Sequence, residues 1–171
     1  TTAETAPVIN QRAITVDPSK RTQLLRHLIE QNGWRQTLVF VATRYATQHV
    51  AEKLRRAGID NFNLDLMYGL PGQNLDEALS DLRQAIALQP AHLSHYQLTL
   101  EAGTPFAALP PAGLPEDDTA ERMLAECLPR LEATGFHRYE ISAYAKAGAQ
   151  CRHNLNYWRF GDYLGIGAGA S

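Results

Sequence analysis

Cysteine is scarce in this chain of 171 residues, which contains only Cys127 and Cys151. Two thiols are too few for a disulfide framework or a metal cage, so we predict no metal site and a reduced, cytoplasmic setting. No apolar run approaches the ~20 residues that a membrane-spanning helix needs. The sequence also lacks a basic start followed by an apolar stretch and a small-residue cleavage site. These absences predict a protein without a membrane partner.

The formal net charge of −2 conceals an asymmetry. Residues 1–59 carry nine Lys/Arg and four Asp/Glu, whereas residues 60–171 carry seven and fourteen. A basic segment is compatible with a nucleic-acid partner. Two arginines that solvate a helix end, Arg55 and Arg56, explain the same charge equally well. We therefore expect no nucleic-acid binding beyond a weak contact.

Apolar spacing and turn residues predict strands that alternate with helices. The predicted strands are residues 12–16, 37–42, 62–68, 95–101 and 138–144. The helices between them have a stop at Asn32-Gly33, a start near Asn74 and a kink at Pro129. Residues 105–115 are predicted to form a loop, because they are rich in proline and glycine. The alternation predicts an α/β fold: a parallel sheet with helices packed on it, as a partial barrel or an open three-layer sheet.

The last three predicted strands alternate strictly between polar and apolar residues. Their polar positions are Asn63 and Asp65; His95, Gln97, Thr99 and Glu101; and Arg138, Glu140 and Ser142. Parallel strands that are covered on both faces are usually apolar throughout. Aligned polar faces therefore favour a ligand-filled lumen, as inside a barrel. The alternative is an open sheet with one wetted face. On either interpretation, alternation places Asp65 and Gln97 on a shared face.

Residues from about 8 to 59 resemble the opening of the second RecA-like domain of DEAD-box RNA helicases. The resemblance rests on Leu38-Val-Phe40 with Thr43, and on Ala51-Glu-Lys-Leu54 with Ala57-Gly58-Ile59. It implies that the Leu-Val-Phe strand lies near an RNA backbone. A phosphate site needs backbone N–H groups at a helix start together with a lysine. The sequence has neither a Gly-Lys-Thr loop nor an Asp-Glu-Ala-Asp motif, so we predict no ATPase or helicase activity.

Residues from about 60 to 171 resemble the middle of HemW-type radical-SAM proteins, a haem-chaperone family related to oxygen-independent coproporphyrinogen III oxidase. The matching motifs include residues 63–73, 96–99, 139–145, 153–158 and 161–170. The resemblance implies that Asp65 and Gln97 lie at or near the S-adenosylmethionine pocket. It also makes His153 a candidate haem ligand, the alternative being a loop histidine bonded to its neighbours. The family's iron–sulfur cluster needs three closely spaced thiolates, which Cys127 and Cys151 do not supply.

Together these observations predict a chimera joined near Ala57-Gly58-Ile59-Asp60. Its two segments would be residues 1–59 and 60–171, folded as one unit, artificial or recombined, and without native catalytic activity or a cofactor. One alternative is a residual binding module for S-adenosylmethionine or haem in the second segment, or for RNA in the first. Another is a cluster-dependent enzyme whose thiolates come from a second chain. Open sheet edges predict a homo-oligomer in any of these cases.

Overall fold

A computed structural model describes residues 12–34, 37, 39, 44–59 and 61–162 of the chain. The helices in these ranges, after a 3₁₀ turn at Pro18–Lys20, are α1 (Arg21–Asn32), α2 (Arg44–Arg56), α3 (Leu75–Ala87), α4 (Pro105–Ala108), α5 (Asp117–Ala133) and α6 (Arg152–Trp158). The strands are β1 (Asn63–Tyr68), β2 (His92–Gln97), β3 (His137–Arg138) and β4 (Ala143–Ala145). None of these helices is long and apolar enough to cross a membrane.

The four strands form one sheet in the order β1-β2-β4-β3. Strands β1 and β2 are parallel, from the pair Asn63↔His92 to the pair Tyr68↔Gln97, and α3 makes the crossover between them. Strand β4 runs antiparallel to both β2 and β3. The fold is therefore mixed α/β, which confirms the predicted α/β fold class. The prediction of an entirely parallel sheet is wrong, and the described strands form an open sheet rather than a clear barrel.

Helix α3 begins where the sequence predicts it, because Asn74 and Glu77 form a reciprocal capping box. The Asn74 side chain accepts from the Glu77 N–H at 3.0 Å, and the Glu77 carboxylate accepts from the Asn74 N–H at 2.9 Å. These bonds satisfy two of the backbone donors that a helix start leaves unpaired. Such a cap contributes on the order of 1 kcal/mol. It fixes the residue at which α3 begins.

The main core lies between one face of the sheet and helices α3 and α5. Its buried members are Leu79, Leu82, Ala85, Leu93, Cys127, Leu131, Phe136 and Tyr144. Leu64 and Leu66 of β1 pack against this cluster, which assigns their side of the strand to the helices. Since side chains alternate along a strand, Asn63 and Asp65 lie on the opposite side. At the start of β1 the sheet is thus apolar on the side of the helices and polar on the opposite side.

The predicted strands at residues 12–16 and 95–101 differ from the structure. Residues 12–16 form no strand, and the predicted strand at 37–42 falls mostly outside the described residues. Strand β2 begins at His92 instead of His95, because the polar His92 is itself buried, at 8% exposure. A sequence pattern that treats histidine as a surface residue therefore begins this strand too late.

The predicted strand at 138–144 is two short strands joined by a chain reversal. Residues 139–142 connect β3 to β4, and the Tyr139 N–H donates to the Ala143 carbonyl oxygen at 3.2 Å. This segment contains no glycine or proline, so the sequence gives no glycine or proline turn signal there.

The predicted loop at 105–115 contains a helix, α4, which begins with a Thr104 cap and has Pro105 in its first turn.

Two further predictions concern the assembly of the chain. The division into segments 1–59 and 60–171 stays a prediction. In the sheet as described, β1 and β3 are the outer strands, so the homo-oligomer predicted from sheet edges would form through them. That association also stays a prediction.

Replacing Leu82 by alanine tests the core. Leu82 is 0% exposed and belongs to the cluster between sheet and helices. We expect Leu82→Ala to lower the free energy of unfolding by about 2–5 kcal/mol, because it removes buried methyl groups and leaves a cavity. Leu109 is 82% exposed, so Leu109→Ala should change it by less than about 0.5 kcal/mol. Urea unfolding measures both, and equal midpoints for the two variants would contradict the assigned core.

Candidate functional site

The polar face of the sheet carries four side chains at adjacent register positions. Asn63 and Asp65 of β1 pair with His92 and Ser94 of β2, respectively. The Asn63 amide nitrogen donates to an Asp65 carboxylate oxygen at 2.7 Å. The Ser94 hydroxyl donates to the Asn63 amide oxygen at 3.2 Å. We call these four residues the polar face.

His92 connects this face to the start of α6 through Tyr139. Its Nδ1 lies 2.7 Å from the Asn63 amide oxygen, and its Nε2 lies 2.5 Å from the Tyr139 hydroxyl. The same hydroxyl is 3.0 Å from the Cys151 backbone nitrogen and 3.3 Å from Asn154 Nδ2. Cys151 immediately precedes α6, and Asn154 lies within it. We call the chain of contacts Asp65–Asn63–His92–Tyr139 the polar relay.

The donors and acceptors of the relay admit one arrangement of protons. The Cys151 N–H and Asn154 Nδ2 are donors only, so the Tyr139 oxygen accepts from both. Its single proton is then donated to His92 Nε2. An imidazole that accepts at Nε2 carries its proton on Nδ1, which donates to Asn63. The relay therefore holds His92 as the neutral Nδ1–H tautomer.

Burial acts on His92 and Tyr139 in the direction that their shared hydrogen bond requires. Loss of water lowers the pKa of His92, and the nearby Asp65 carboxylate opposes that shift. Burial also raises the pKa of the Tyr139 phenol, an effect that the Cys151 N–H reduces. A neutral imidazole and a protonated phenol are thus the favoured forms of this pair.

A second feature is a group of exposed aromatic and apolar side chains around α6. The exposed fractions are 71% for Ile141, 46% for Tyr157, 57% for Trp158 and 97% for Phe160. The His153 ring meets the Tyr157 ring edge-on, with centroids 4.8 Å apart. We call Ile141, His153, Tyr157, Trp158 and Phe160 the aromatic surface.

A shallow cavity of about 320 Å³ lies beside this surface. It is lined by Arg138, Tyr139, Glu140, Ile141 and Trp158. Tyr139 therefore contributes to the cavity and to the relay. This open depression brings a guanidinium, a carboxylate and two aromatic rings together at the protein surface.

The structure separates the two residues that the sequence assigned to one pocket. Asp65 lies on the polar face, but the register places Gln97 opposite Tyr68, whose ring packs with Ala78 and Met123 on the helix side. The prediction that Asp65 and Gln97 share a face is therefore wrong. The reason is that the predicted polar positions of β2 were assigned to the wrong side of the sheet.

His95 explains this error. It was predicted to lie on the polar face, yet it is 2% exposed and lies between two core tyrosines. Its ring centroid is 4.7 Å from that of Tyr68 and 6.3 Å from that of Tyr144. His92 and Ser94 occupy the polar face instead. Sequence reasoning missed His92 and Tyr139, which lie 47 residues apart and meet only through strand pairing.

The residues present do not fit an iron–sulfur cluster. Such a cluster needs three thiolates, and the chain has two cysteines. Cys127 is fully buried in the core, where burial raises its thiol pKa to about 11, whereas Cys151 is exposed. Within the described ranges, no group of three or more His, Cys, Asp or Glu side chains is placed to hold a metal ion.

Comparison with known proteins relates the sequence of this chain to one group of relatives. No protein-family model matches the chain. Over 113 residues, or 66% of the chain, the sequence is 60% identical to the heme chaperone HemW of Escherichia coli K12. Over 122 residues it is 42% identical to the HemW of Bacillus subtilis 168. The chain is homologous to HemW heme chaperones. It spans about 30% of the length of the E. coli relative and 32% of the B. subtilis one.

A solved structure supports the fold. The radical SAM enzyme coproporphyrinogen III oxidase (HemN) from Escherichia coli matches 85% of this chain with a TM-score of 0.56, and 31% of that enzyme is covered. The sequence identity of 22% restricts this likeness to the fold. It agrees with the mixed α/β architecture described above.

These comparisons correct the prediction of an artificial or recombined chimera without native activity, which is wrong. A HemW of Mycobacterium tuberculosis is 37% identical over a match that covers 75% of the chain, about 128 residues. Residues 60–171 number only 112, so that match crosses the predicted junction. Nothing supports the helicase resemblance of residues 8–59. The prediction that the protein is not an enzyme also does not follow, because the chain spans less than a third of the E. coli relative.

The histidine pKa values predict how stability depends on pH. Burial lowers the pKa of both His92 and His95 from the ordinary 6.5, so the unfolded chain binds protons first as the pH falls. Their contribution is complete above pH 6.5 and is lost as the pH falls towards the folded-state pKa. We expect His95→Gln to flatten the pH dependence of the free energy of unfolding, measured between about pH 5 and 8. His27 is exposed, and an equal flattening by His27→Gln would contradict this assignment.

Proposed function

We propose that this chain is a segment of a HemW-type haem chaperone and that its aromatic surface contacts haem. The observation that carries the proposal is the concentration of exposed rings on and beside α6, in a sequence 60% identical to a heme chaperone. Contiguous groups of exposed apolar side chains mark interaction sites. A porphyrin is flat and apolar over most of its area, so rings such as those of Tyr157 and Trp158 are suited to stack on it.

The cavity beside the aromatic surface supplies polar contacts for the same ligand. Haem carries two carboxylates at one edge of its ring. Arg138 lines the cavity, and a guanidinium binds a carboxylate through two parallel hydrogen bonds. Ile141 and Trp158 line the same cavity and provide apolar contact. We infer that a haem carboxylate lies near Arg138 while the macrocycle extends over α6.

His153 is the candidate axial ligand within this surface. It is exposed, and it lies one helical turn before Tyr157, whose ring it contacts edge-on. Neutral imidazole is the commonest metal ligand among side chains. Haem supplies an iron centre that such a nitrogen can bind. The contact with Tyr157 restricts the orientation of the imidazole ring and so prepares it for that role.

The resemblance places Asp65 and Gln97 at an S-adenosylmethionine pocket, and this placement stays a prediction for both residues. The exposed position of Asp65 on the polar face favours its part in such a pocket. The position of Gln97 on the other side of the sheet disfavours a joint contact. A cytoplasmic location also stays a proposal, supported by two free thiols, one buried and one exposed.

Titration of the chain with haemin tests the proposal through the Soret absorption band. The unmodified chain should give a saturable change of the band. We expect Trp158→Ala to weaken binding about tenfold, because one stacked ring is worth about 1.4 kcal/mol. We expect His153→Ala to change the position of the Soret band, because it removes the nitrogen bound to iron.

The controls use the same substitutions away from α6. Trp34 is 46% exposed, close to the 57% of Trp158, and His27 is an exposed histidine on α1. Trp34→Ala and His27→Ala should bind haemin as the unmodified chain does. Absence of a saturable change in the unmodified chain would remove the proposed function. Equal losses in the α6 variants and their controls would show that the aromatic surface is not the site.

A further inference from the structure

Helix α6 has little of its own to hold it in place. It is seven residues long, buries no residue and has no side-chain hydrogen bond at its N-cap, Cys151. Helices much shorter than ~12–15 residues are marginal in water unless other contacts stabilise them. The position of α6 must therefore depend on contacts from outside the helix.

Such contacts come from the β3–β4 connection at both ends of the helix. At its start, the Cys151 N–H and the Asn154 side chain both donate to the Tyr139 hydroxyl. At its end, Trp158 shares the cavity with Tyr139 and Ile141. The Tyr139 hydroxyl is the one of these groups that is in turn bonded to the sheet, at 2.5 Å from His92 Nε2.

We propose that Tyr139 is a positioning residue that docks α6 onto the sheet, and that His92 holds it in the required orientation. The Tyr139 hydroxyl donates a hydrogen bond to His92 Nε2 through its only proton. Both lone pairs of the hydroxyl oxygen are then directed at Cys151 and Asn154. Asn63 keeps the His92 proton on Nδ1 and leaves Nε2 free to accept. The role of this docking in haem binding rests on the proposed function, whereas the docking itself does not.

This arrangement has a consequence for the aromatic surface. His153, Tyr157 and Trp158 all lie on α6, whereas Ile141 and Arg138 lie on the segment that Tyr139 belongs to. If α6 separates from Tyr139, the rings of the helix lose their fixed relation to the cavity. Tyr139 would then change haem affinity through the placement of α6, without itself serving as the iron ligand.

Amide hydrogen exchange of the whole chain, followed by mass spectrometry, tests the docking directly. We expect Tyr139→Phe to speed exchange in residues 151–159 about tenfold, because it removes the hydroxyl and keeps the ring. Exchange in α3 should stay unchanged. The matched control is Tyr144→Phe, because Tyr144 is 1% exposed and its buried hydroxyl has no hydrogen-bond partner among the described residues. That variant should leave exchange in α6 unchanged.

The part assigned to His92 is tested by combining variants. His92→Phe should speed exchange in residues 151–159 as Tyr139→Phe does, and the double variant should add little more, because both remove the same connection. Fully additive effects would show that His92 does not act through Tyr139. Unchanged exchange of α6 in Tyr139→Phe, or an equal change in Tyr144→Phe, would overturn the proposal.

Haemin titration of the same variants separates this inference from the proposed function. We expect Tyr139→Phe to weaken haemin binding about tenfold with an unchanged Soret position, since the iron ligand remains. Tyr144→Phe should bind as the unmodified chain does. If the unmodified chain binds no haemin, the proposed function fails, and the exchange rates of α6 still decide whether Tyr139 docks the helix. Faster exchange in Tyr139→Phe with unchanged haemin affinity would overturn the link between docking and the site.

Discussion

The neutral imidazole of His92 is the interaction on which the polar side of this fold depends. A half-polar sheet must satisfy its buried polar groups without the help of the apolar core behind it. His92 does so with both ring nitrogens, since Nδ1 contacts Asn63 and Nε2 contacts Tyr139. Protonation at Nε2 would turn that nitrogen from an acceptor into a donor. Tyr139 would then have to give up one of its bonds to Cys151 or Asn154.

The apolar side of the sheet makes this arrangement possible by fixing the register. Leu64 and Leu93 are paired across β1 and β2 and pack with the helices. A slip of one residue would send apolar side chains to the polar face, so the core specifies the pairing strongly. The same register sets Asn63 beside His92. Packing of the apolar face thus sets the strand register, and that register places the hydrogen-bonding residues on the other face.

Several elements follow from local signals and were predictable. Asn74 indicates the start of α3, Gly33 indicates the end of α1, and the apolar spacing of Leu124, Leu128 and Leu131 indicates α5. These features depend on neighbours within one or two turns, which a sequence displays directly. The helix α5 continues through Pro129, at which a kink was predicted.

Most of the predictions that were wrong concern contacts between residues that are distant in the chain. The start of β2 was missed because His92 is a polar residue in a buried position. The reversal at residues 139–142 was missed because it contains no glycine or proline. The resemblance named Asp65 for a pocket that stays a prediction, whereas the relay partners His92 and Tyr139 carry no common motif. Only the pairing of strands from different parts of the chain brings them together, and a single sequence does not display it.

The protonation state of His92 is the most direct test of this account. In a ¹⁵N-histidine-labelled chain at neutral pH, nuclear magnetic resonance distinguishes a ring nitrogen that carries a proton from one that does not. The account predicts that His92 carries its proton on Nδ1 and that Nε2 is unprotonated and hydrogen-bonded. A proton on Nε2, whether in the other tautomer or in the imidazolium form, would contradict the arrangement that joins the sheet to α6.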